Sequence, residues 1–177
     1  MEPAPGPEAV PTVRRAQPTD AAELVRLREV MFEAMGLVGG SPQWRDVAAE
    51  VFRTSLDNGH MVGVVADDPM VPGRLAACGV VEYEPRLPSP ANPIGGLAYV
   101  SNIATDPAWR RSGMARAITR ALLADAQERG IGRIELHATP DGIGLYRSLG
   151  FVERGGNPEM RWAGLGAARP GERASGT

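Results

Sequence analysis

Residues 110–115 carry the side chains best suited to chemistry in this chain, in the order Arg-Arg-Ser-Gly-Met-Ala. An apolar segment precedes them and an amphipathic segment follows, so they are predicted to connect a strand to a helix. N–H groups in the first turn of a helix lack intrahelical partners, and the helix dipole adds about half a positive charge there. Gly113 lets an anion approach the backbone, and Arg110 and Arg111 add two cations. The segment therefore predicts a phosphate or pyrophosphate site.

The pattern formed by Arg110, Gly113 and Ala115 resembles the pyrophosphate loop of the general N-acetyltransferase (GNAT) superfamily, Gln/Arg-x-x-Gly-x-Gly/Ala. Residues 103–107, Ile-Ala-Thr-Asp-Pro, are similar to the strand end that precedes this loop in the family. Residues 145–151, Leu-Tyr-Arg-Ser-Leu-Gly-Phe, resemble its second block, Leu-Tyr-x-x-x-Gly-Phe. The resemblance implies an α/β fold: a mixed, mostly antiparallel sheet with helices on both faces and two central parallel strands that splay apart.

The resemblance also implies acetyl-coenzyme A (acetyl-CoA) as cosubstrate, and a primary amine of a small molecule, peptide or protein as acceptor. In the family the pantetheine arm of the coenzyme enters between the splayed strands, here residues 97–105 and 133–138. Thr139 stands where the family often has an asparagine, a departure that a hydroxyl can compensate because it also forms hydrogen bonds. The residues assigned to the coenzyme on this basis are Ile103, Ala104, Thr105, Arg110, Arg111, Ser112, Gly113, Met114, Ala115, Thr139, Gly142 and Tyr146.

Tyr146 resembles the general acid of the family, which protonates the departing thiolate. A tyrosine with an ordinary pKa of about 10 is protonated at neutral pH and can donate. The alternative is that its ring only packs against the sheet. A backbone N–H at the end of the strand, near residues 103–105, is expected to polarise the thioester carbonyl.

The general base is less evident, because residues 99–102, Tyr-Val-Ser-Asn, offer neither a carboxylate nor a histidine. Glu82 and Glu84 lie two apart on the preceding predicted strand and so share one face. Glu82 is the predicted base, against the alternative that both are solvated charges. A route without a protein base also fits, with Asn102 orienting a water or the substrate.

The predicted elements alternate as the fold requires. The predicted strands are residues 13–16, 61–66, 75–83, 97–105, 133–138 and 152–154, with a last one at 160–162. The predicted helices are residues 20–36, 41–58, 113–129 and 141–149. Asp20 and Glu23 have capping-box spacing, and Pro42 suits a first helical position. Met35, Val47 and Val51 are expected on apolar helix faces. The domain is predicted over 12–163, between a disordered arm at 1–11 and a flexible tail at 164–177.

Composition excludes several classes of function. The formal net charge of -2 gives no positive field for nucleic acid. Cys78 is the single cysteine and is expected in the core, and it cannot form an intrachain disulfide with another cysteine. His60 and His137 are far apart in the sequence, so no metal site is expected. His137 is expected to be a structural residue within a buried strand. The N-terminus lacks signal-peptide features and no apolar run would span a membrane, so the cytoplasm is the expected location.

All 19 basic residues are arginine, and the chain is rich in alanine, glycine and proline, which favours a bacterial source with GC-rich codons. The first two helices and the long loop at 84–96 are the expected acceptor wall. Dimerisation through the sheet edges is left open. A non-catalytic module that binds acyl-CoA is the main alternative. A nucleotide-binding protein is a further alternative, but Gly-Lys-Ser/Thr and Gly-x-Gly-x-x-Gly motifs are missing.

Overall fold

The computed structural model describes residues 12–37 and 39–155, which form one five-stranded sheet with helices on both faces. The strands are β1 (Arg14–Arg15), β2 (Met61–Asp67), β3 (Leu75–Pro85), β4 (Gly96–Thr105) and β5 (Ile134–Leu136). The helices are α1 (Ala21–Ala34), α2 (Trp44–Asp57), α3 (Met114–Glu128) and α4 (Ile143–Ser148). The predicted strand at 160–162, the arm at 1–11 and the tail at 164–177 lie outside the described residues.

The strands are ordered as in the sequence, and three of the four pairings are antiparallel. Only β4 and β5 run parallel, with α3 as the crossover between them. One core lies between α3 and the sheet, where Ile118 and Leu122 are fully buried, and the other lies under α1 and α2 around Leu24 and Leu27. The predicted fold class, a mixed sheet covered by helices on both faces, is confirmed.

The start of α1 differs from the prediction. Asp20 does not cap the helix through its side chain, because its two carboxylate oxygens accept hydrogen bonds from Arg14 at 2.8 and 3.0 Å. Glu23 accepts a hydrogen bond from the backbone N–H of Leu75 at 2.9 Å. The two acidic residues therefore tie the helix to β1 and β3 instead of forming a capping box with each other.

Other boundaries and faces also differ. Helix α2 begins at Trp44, so Pro42 precedes it, and residues 152–154 do not form the predicted strand. Val47 and Val51 on α2, and Met35 at the end of α1, are exposed and line an open cleft. Their spacing is typical of an apolar helix face that packs against a core. In this protein they face the open cleft between the helices and the sheet.

A β-bulge in β4 opens this cleft. Cys78 pairs with Ala104 whereas Val80 pairs with Ser101, so β4 has two residues, Asn102 and Ile103, opposite the single residue between Cys78 and Val80. Asn102 adopts the left-handed conformation, with φ of 53°. A bulge bends its strand. Immediately before it, the parallel ladder with β5 ends at the pair Val100 and Leu136. The predicted splaying of the two parallel strands is therefore present.

Candidate active site

The cleft has a volume of about 1650 Å³ and lies between α1 and α2 on one side and the diverging ends of β4 and β5 on the other. Its helical wall is apolar except for Arg28, and it includes Phe32 and Trp44, whose rings are in edge-to-face contact with centroids 5.7 Å apart. Its opposite wall runs from Leu136 to Tyr146. The floor is the backbone of β4. Among the described residues, no helix is long and apolar enough to cross a bilayer, and no cluster of three or more histidine, cysteine, aspartate or glutamate residues could hold a metal.

Ile103, Ala104 and Thr105 lie on the floor from the bulge to the end of β4, and all three line the cleft. On its other edge this part of β4 pairs with β3, but the described part of β5 makes no ladder contact with it after Val100. A strand edge of this kind presents backbone N–H and C=O groups that need partners. It can therefore pair with an extended ligand as if the ligand were a further strand.

The end of β4 is held by a buried carboxylate. Asp106 accepts hydrogen bonds from Arg26 and Arg74, each at 2.8 Å, and from the backbone N–H of Ala108 at 3.2 Å. Burial alone would raise the pKa of Asp106, but the hydrogen bonds from Arg74, Ala108 and Arg26 outweigh it and the pKa is lowered. The carboxylate thus stays ionised and fixes the strand end relative to α1 and β3.

The segment that follows has the geometry of an anion site. Arg111 and Gly113 have positive φ angles of 62° and 80°, and the Ser112 hydroxyl donates to the carbonyl of Trp109 at 2.5 Å. The first hydrogen bond of α3 runs from Ala117 N–H to the carbonyl of Gly113, at 3.0 Å. The preceding amides therefore lack helical acceptors, and left-handed residues beside a helix start form a concavity for anions. A left-handed arginine is uncommon and costs backbone strain, which is typical of functional segments.

Arg110 and Arg111 have exposed side chains and, within 12–37 and 39–155, form no ion pair. Arg110 lines the cleft at the point where the floor ends. The predicted coenzyme residues at 103–105 and 110–115 thus follow one another along a single path. These residues suit a long ligand with an anionic end. The unpaired strand edge can hold the extended part of the ligand, and the helix start with its two guanidinium groups can hold the anion.

Tyr146 closes the other side of this path. Its ring lies edge-on to Phe151 with centroids 5.8 Å apart, and it lines the cleft opposite β4. A Cβ atom added to Gly142 would lie 3.0 Å from the Tyr146 ring and 3.4 Å from the Thr139 hydroxyl oxygen, so the three predicted residues meet at one point. Burial raises the pKa of Tyr146. Its hydroxyl has no hydrogen-bond partner in the described part of the chain and is available to donate.

The structure separates the two candidate bases. Glu82 lines the cleft and pairs across the sheet with Tyr99, on the face covered by α1 and α2. Glu84 accepts a hydrogen bond from Arg86 at 2.5 Å and does not line the cleft. The two carboxylates share a strand face, as predicted, but only Glu82 faces the space in which an acceptor could bind.

His137 and Tyr99 form a pair that the sequence did not predict. The Tyr99 hydroxyl lies 2.6 Å from Nδ1 of His137, and both residues line the cleft beside Glu82. The expectation that His137 lies within a buried strand is wrong, because β5 ends at Leu136 and His137 is exposed beyond it. β5 is short because the two parallel strands splay apart after Leu136. The pattern of apolar residues in the sequence does not indicate where the pairing between strands ends.

Arg28 is a second residue that the sequence did not predict. It is half-buried in the helical wall of the cleft, where its guanidinium stacks over Phe32 at 4.7 Å and donates to the Asn102 side-chain oxygen at 3.1 Å. A signal was present, because Leu24, Arg28 and Met31 have helical spacing and a charge therefore interrupts the apolar stripe.

Comparison with known proteins places this architecture among acetyltransferases. The family model described as Acetyltransferase (GNAT) family matches residues 23–151. Glucosamine 6-phosphate N-acetyltransferase 1 of Oryza sativa is 29% identical over 146 residues, covering 79% of this chain and 82% of that protein. The [ribosomal protein bS18]-alanine N-acetyltransferase of Escherichia coli is 37% identical over 59 residues, covering 32% of this chain and 40% of that protein.

A solved structure has the same fold. A predicted acetyltransferase from Clostridium acetobutylicum, crystallised with acetyl-CoA, superposes with a TM-score of 0.75 at 24% sequence identity. The superposition covers 85% of this chain and 95% of that one. The likeness therefore extends over most of both chains at the level of overall fold.

Proposed function

Because this chain belongs to the acetyltransferase (GNAT) family and transfers an acetyl group from acetyl-CoA to an amine, we propose that the reaction takes place in the cleft between Glu82 and Tyr146. The observation that carries this proposal is the end of the parallel ladder at Val100 and Leu136. It leaves a free strand edge that leads directly to the start of α3, in the same cleft as both catalytic candidates.

The residues present fit the coenzyme. The backbone groups of Ile103, Ala104 and Thr105 would hold its extended arm, and Thr139 and Gly142 would border that arm from the other side. The loop Arg110, Arg111, Ser112 and Gly113, with the first amides of α3 at Met114 and Ala115, would hold the pyrophosphate. When bound, acetyl-CoA supplies the thioester carbon that the amine attacks and the sulfur that leaves.

Proton movement in the proposal involves two side chains at opposite ends of the site. A carboxylate oxygen of Glu82 accepts a proton from the acceptor ammonium, since only a neutral amine is nucleophilic. As the C–N bond forms and the C–S bond breaks, the Tyr146 hydroxyl would donate its proton to the leaving sulfur. The extra proton on the new amide nitrogen would then return to the Tyr146 phenolate, directly or through water. The pKa of Tyr146 is raised by burial, so the phenol is protonated whenever the acceptor amine is being deprotonated by Glu82 at neutral pH.

The proposal is tested by mixing the purified protein with acetyl-CoA and a panel of primary amines, and by following release of free thiol. We expect turnover with at least one amine, saturable in both substrates. Tight binding of CoA without turnover of any amine would instead support the non-catalytic module that binds acyl-CoA.

Both walls of the cleft are formed by this chain, and its volume of about 1650 Å³ is large enough for a small amine or for the end of a peptide. The rice relative is named for glucosamine 6-phosphate and the Escherichia coli relative for an alanine of a ribosomal protein. The comparisons therefore agree with a small-molecule acceptor and with a protein acceptor. Cytoplasmic location, a bacterial source and homodimerisation stay predictions from the sequence.

Replacing Glu82 with glutamine is expected to lower kcat/KM for the best amine about 100-fold, which is the lower range for loss of a general base. CoA affinity measured by calorimetry should change little, since Glu82 lies away from residues 103–115. Glu84→Gln is the matched control, because Glu84 is on the same strand but is paired with Arg86 outside the cleft. Equal activity of the Glu82 and Glu84 variants would establish a route without a carboxylate base.

A further inference from the structure

Arg28 is a charged group that the proposed reaction does not use. Its guanidinium has five N–H donors, of which one is bonded, to Asn102 at 3.1 Å. Within the described chain it forms no ion pair, although it is half-buried in the wall of the cleft. Burial lowers the pKa of Arg28, and the nearby Glu82 carboxylate opposes this effect. Arginine nevertheless remains charged, so the cation is partly desolvated without a direct counter-ion.

Arg26, two residues earlier on the same helix, shows what a structural arginine looks like in this protein. Its Nε donates to Glu23 at 2.9 Å, its Nη1 to Asp106 at 2.8 Å and its Nη2 to the carbonyl of Leu75 at 2.6 Å. Partly buried cations in folded proteins are normally paired in this way. Arg28 is half-buried with a single side-chain partner, and it lines the open cleft.

The position of Arg28 relative to Glu82 gives the cleft a charge pattern. Arg28 projects from α1 and contacts Asn102 at the bulge, whereas Glu82 lies on β3 in the same cleft and on the same face of the sheet. The cation and the anion do not bond to each other directly. A molecule between them would meet a carboxylate at one end and a guanidinium at the other.

From this pattern we infer that Arg28 binds an oxyanion, a carboxylate or a phosphate, carried by the acceptor amine. The acceptor is then a small zwitterion: its ammonium group lies towards Glu82 and its anionic group lies against Arg28. Planar guanidinium groups bind both anions through paired hydrogen bonds. The inference rests on the proposed function, because it assigns the acceptor side of the same cleft.

The experiment compares matched probes that differ in one anionic group. L-phenylalanine is set against L-phenylalaninamide, glycine against glycinamide, and phosphoethanolamine against ethanolamine. Acetylation is followed by thiol release, and binding to the CoA-saturated protein by calorimetry. In at least one pair we expect the anionic member to be preferred by about 10- to 100-fold, in turnover or in affinity. The pair that shows the preference distinguishes carboxylate from phosphate.

Arg28→Gln is expected to abolish that preference, because it lowers the rate with the anionic member at least tenfold more than the rate with the neutral member. A purely structural Arg28 would instead lower both rates together. Arg45→Gln is the control, because Arg45 also stacks on an aromatic ring, Trp44 at 5.1 Å, but is paired with Glu29 and does not line the cleft. It should keep the full preference.

The inference is overturned if no anionic member is preferred in any pair by the wild-type protein, or if Arg28→Gln retains the preference. Turnover of any neutral amine in that case would still support the proposed acetyl transfer. Absence of both turnover and CoA binding would instead contradict the proposed function itself.

Discussion

Replacing Tyr146 with phenylalanine is expected to lower kcat by about 100- to 1000-fold, as loss of a general acid does. The phenyl ring keeps the contact with Phe151 and the position beside Gly142, so CoA affinity and the unfolding midpoint should change little. Single-turnover thiol release separates the chemical step from binding, and calorimetry measures the affinity for CoA.

The pH dependence of this variant gives a second readout. The acid acts in its protonated form, and burial raises the pKa of Tyr146 above the ordinary value of 10.0. The wild-type rate should therefore fall only above about pH 10, and phenylalanine should remove that alkaline limb. A variant that keeps kcat within threefold of the wild type would show that the ring only packs and that solvent protonates the thiolate.

Reversing the charge of both Arg110 and Arg111 to glutamate is expected to weaken CoA binding roughly 100- to 10,000-fold, since each of the two charged hydrogen bonds contributes about 1.5–3 kcal/mol. Both guanidinium groups are exposed and unpaired among the described residues, beside a helix start whose amides lack acceptors. The affinity, measured by calorimetry, should also lose most of its dependence on ionic strength.

Arg120→Glu is the matched control for this change. Arg120 is an exposed arginine on the same helix, two turns beyond Gly113, and it does not line the cleft. Its reversal should leave CoA affinity within about twofold, because screening limits interactions between distant surface charges. If the Arg110/Arg111 variant binds CoA as tightly as the Arg120 variant, the anion site at residues 110–115 is assigned wrongly.

The loop at residues 110–113 and the helix that follows it could be predicted from sequence because they depend on neighbours along the chain, whereas the coenzyme contacts of the loop and the role of Tyr146 stay predictions. A glycine before a helix and arginines beside it specify an anion site locally, whatever the rest of the fold does. The valine-rich run at β2 likewise predicted a buried strand, and its first six residues are buried. These features follow from local spacing and residue type alone.

The acceptor side could not be predicted in the same way, because it depends on contacts between distant segments. Arg28 and Asn102 lie 74 positions apart in the sequence, and the fold brings them together at the bulge. Val47 and Val51 have the periodicity of core residues, yet they face the cleft. Asp20 was predicted as a cap from its spacing, but Arg14 supplies a stronger, charged partner.

The bulge at Asn102 also touches both proposed ligand sites. Its backbone leads into the edge proposed for the coenzyme arm, and its side-chain oxygen holds the guanidinium proposed for the acceptor. If occupancy of one site orders this shared segment, it favours binding at the other. Thermodynamic reciprocity then requires donor and acceptor to raise each other's affinity by the same factor. Such synergy would limit wasteful hydrolysis of the thioester when no amine is present.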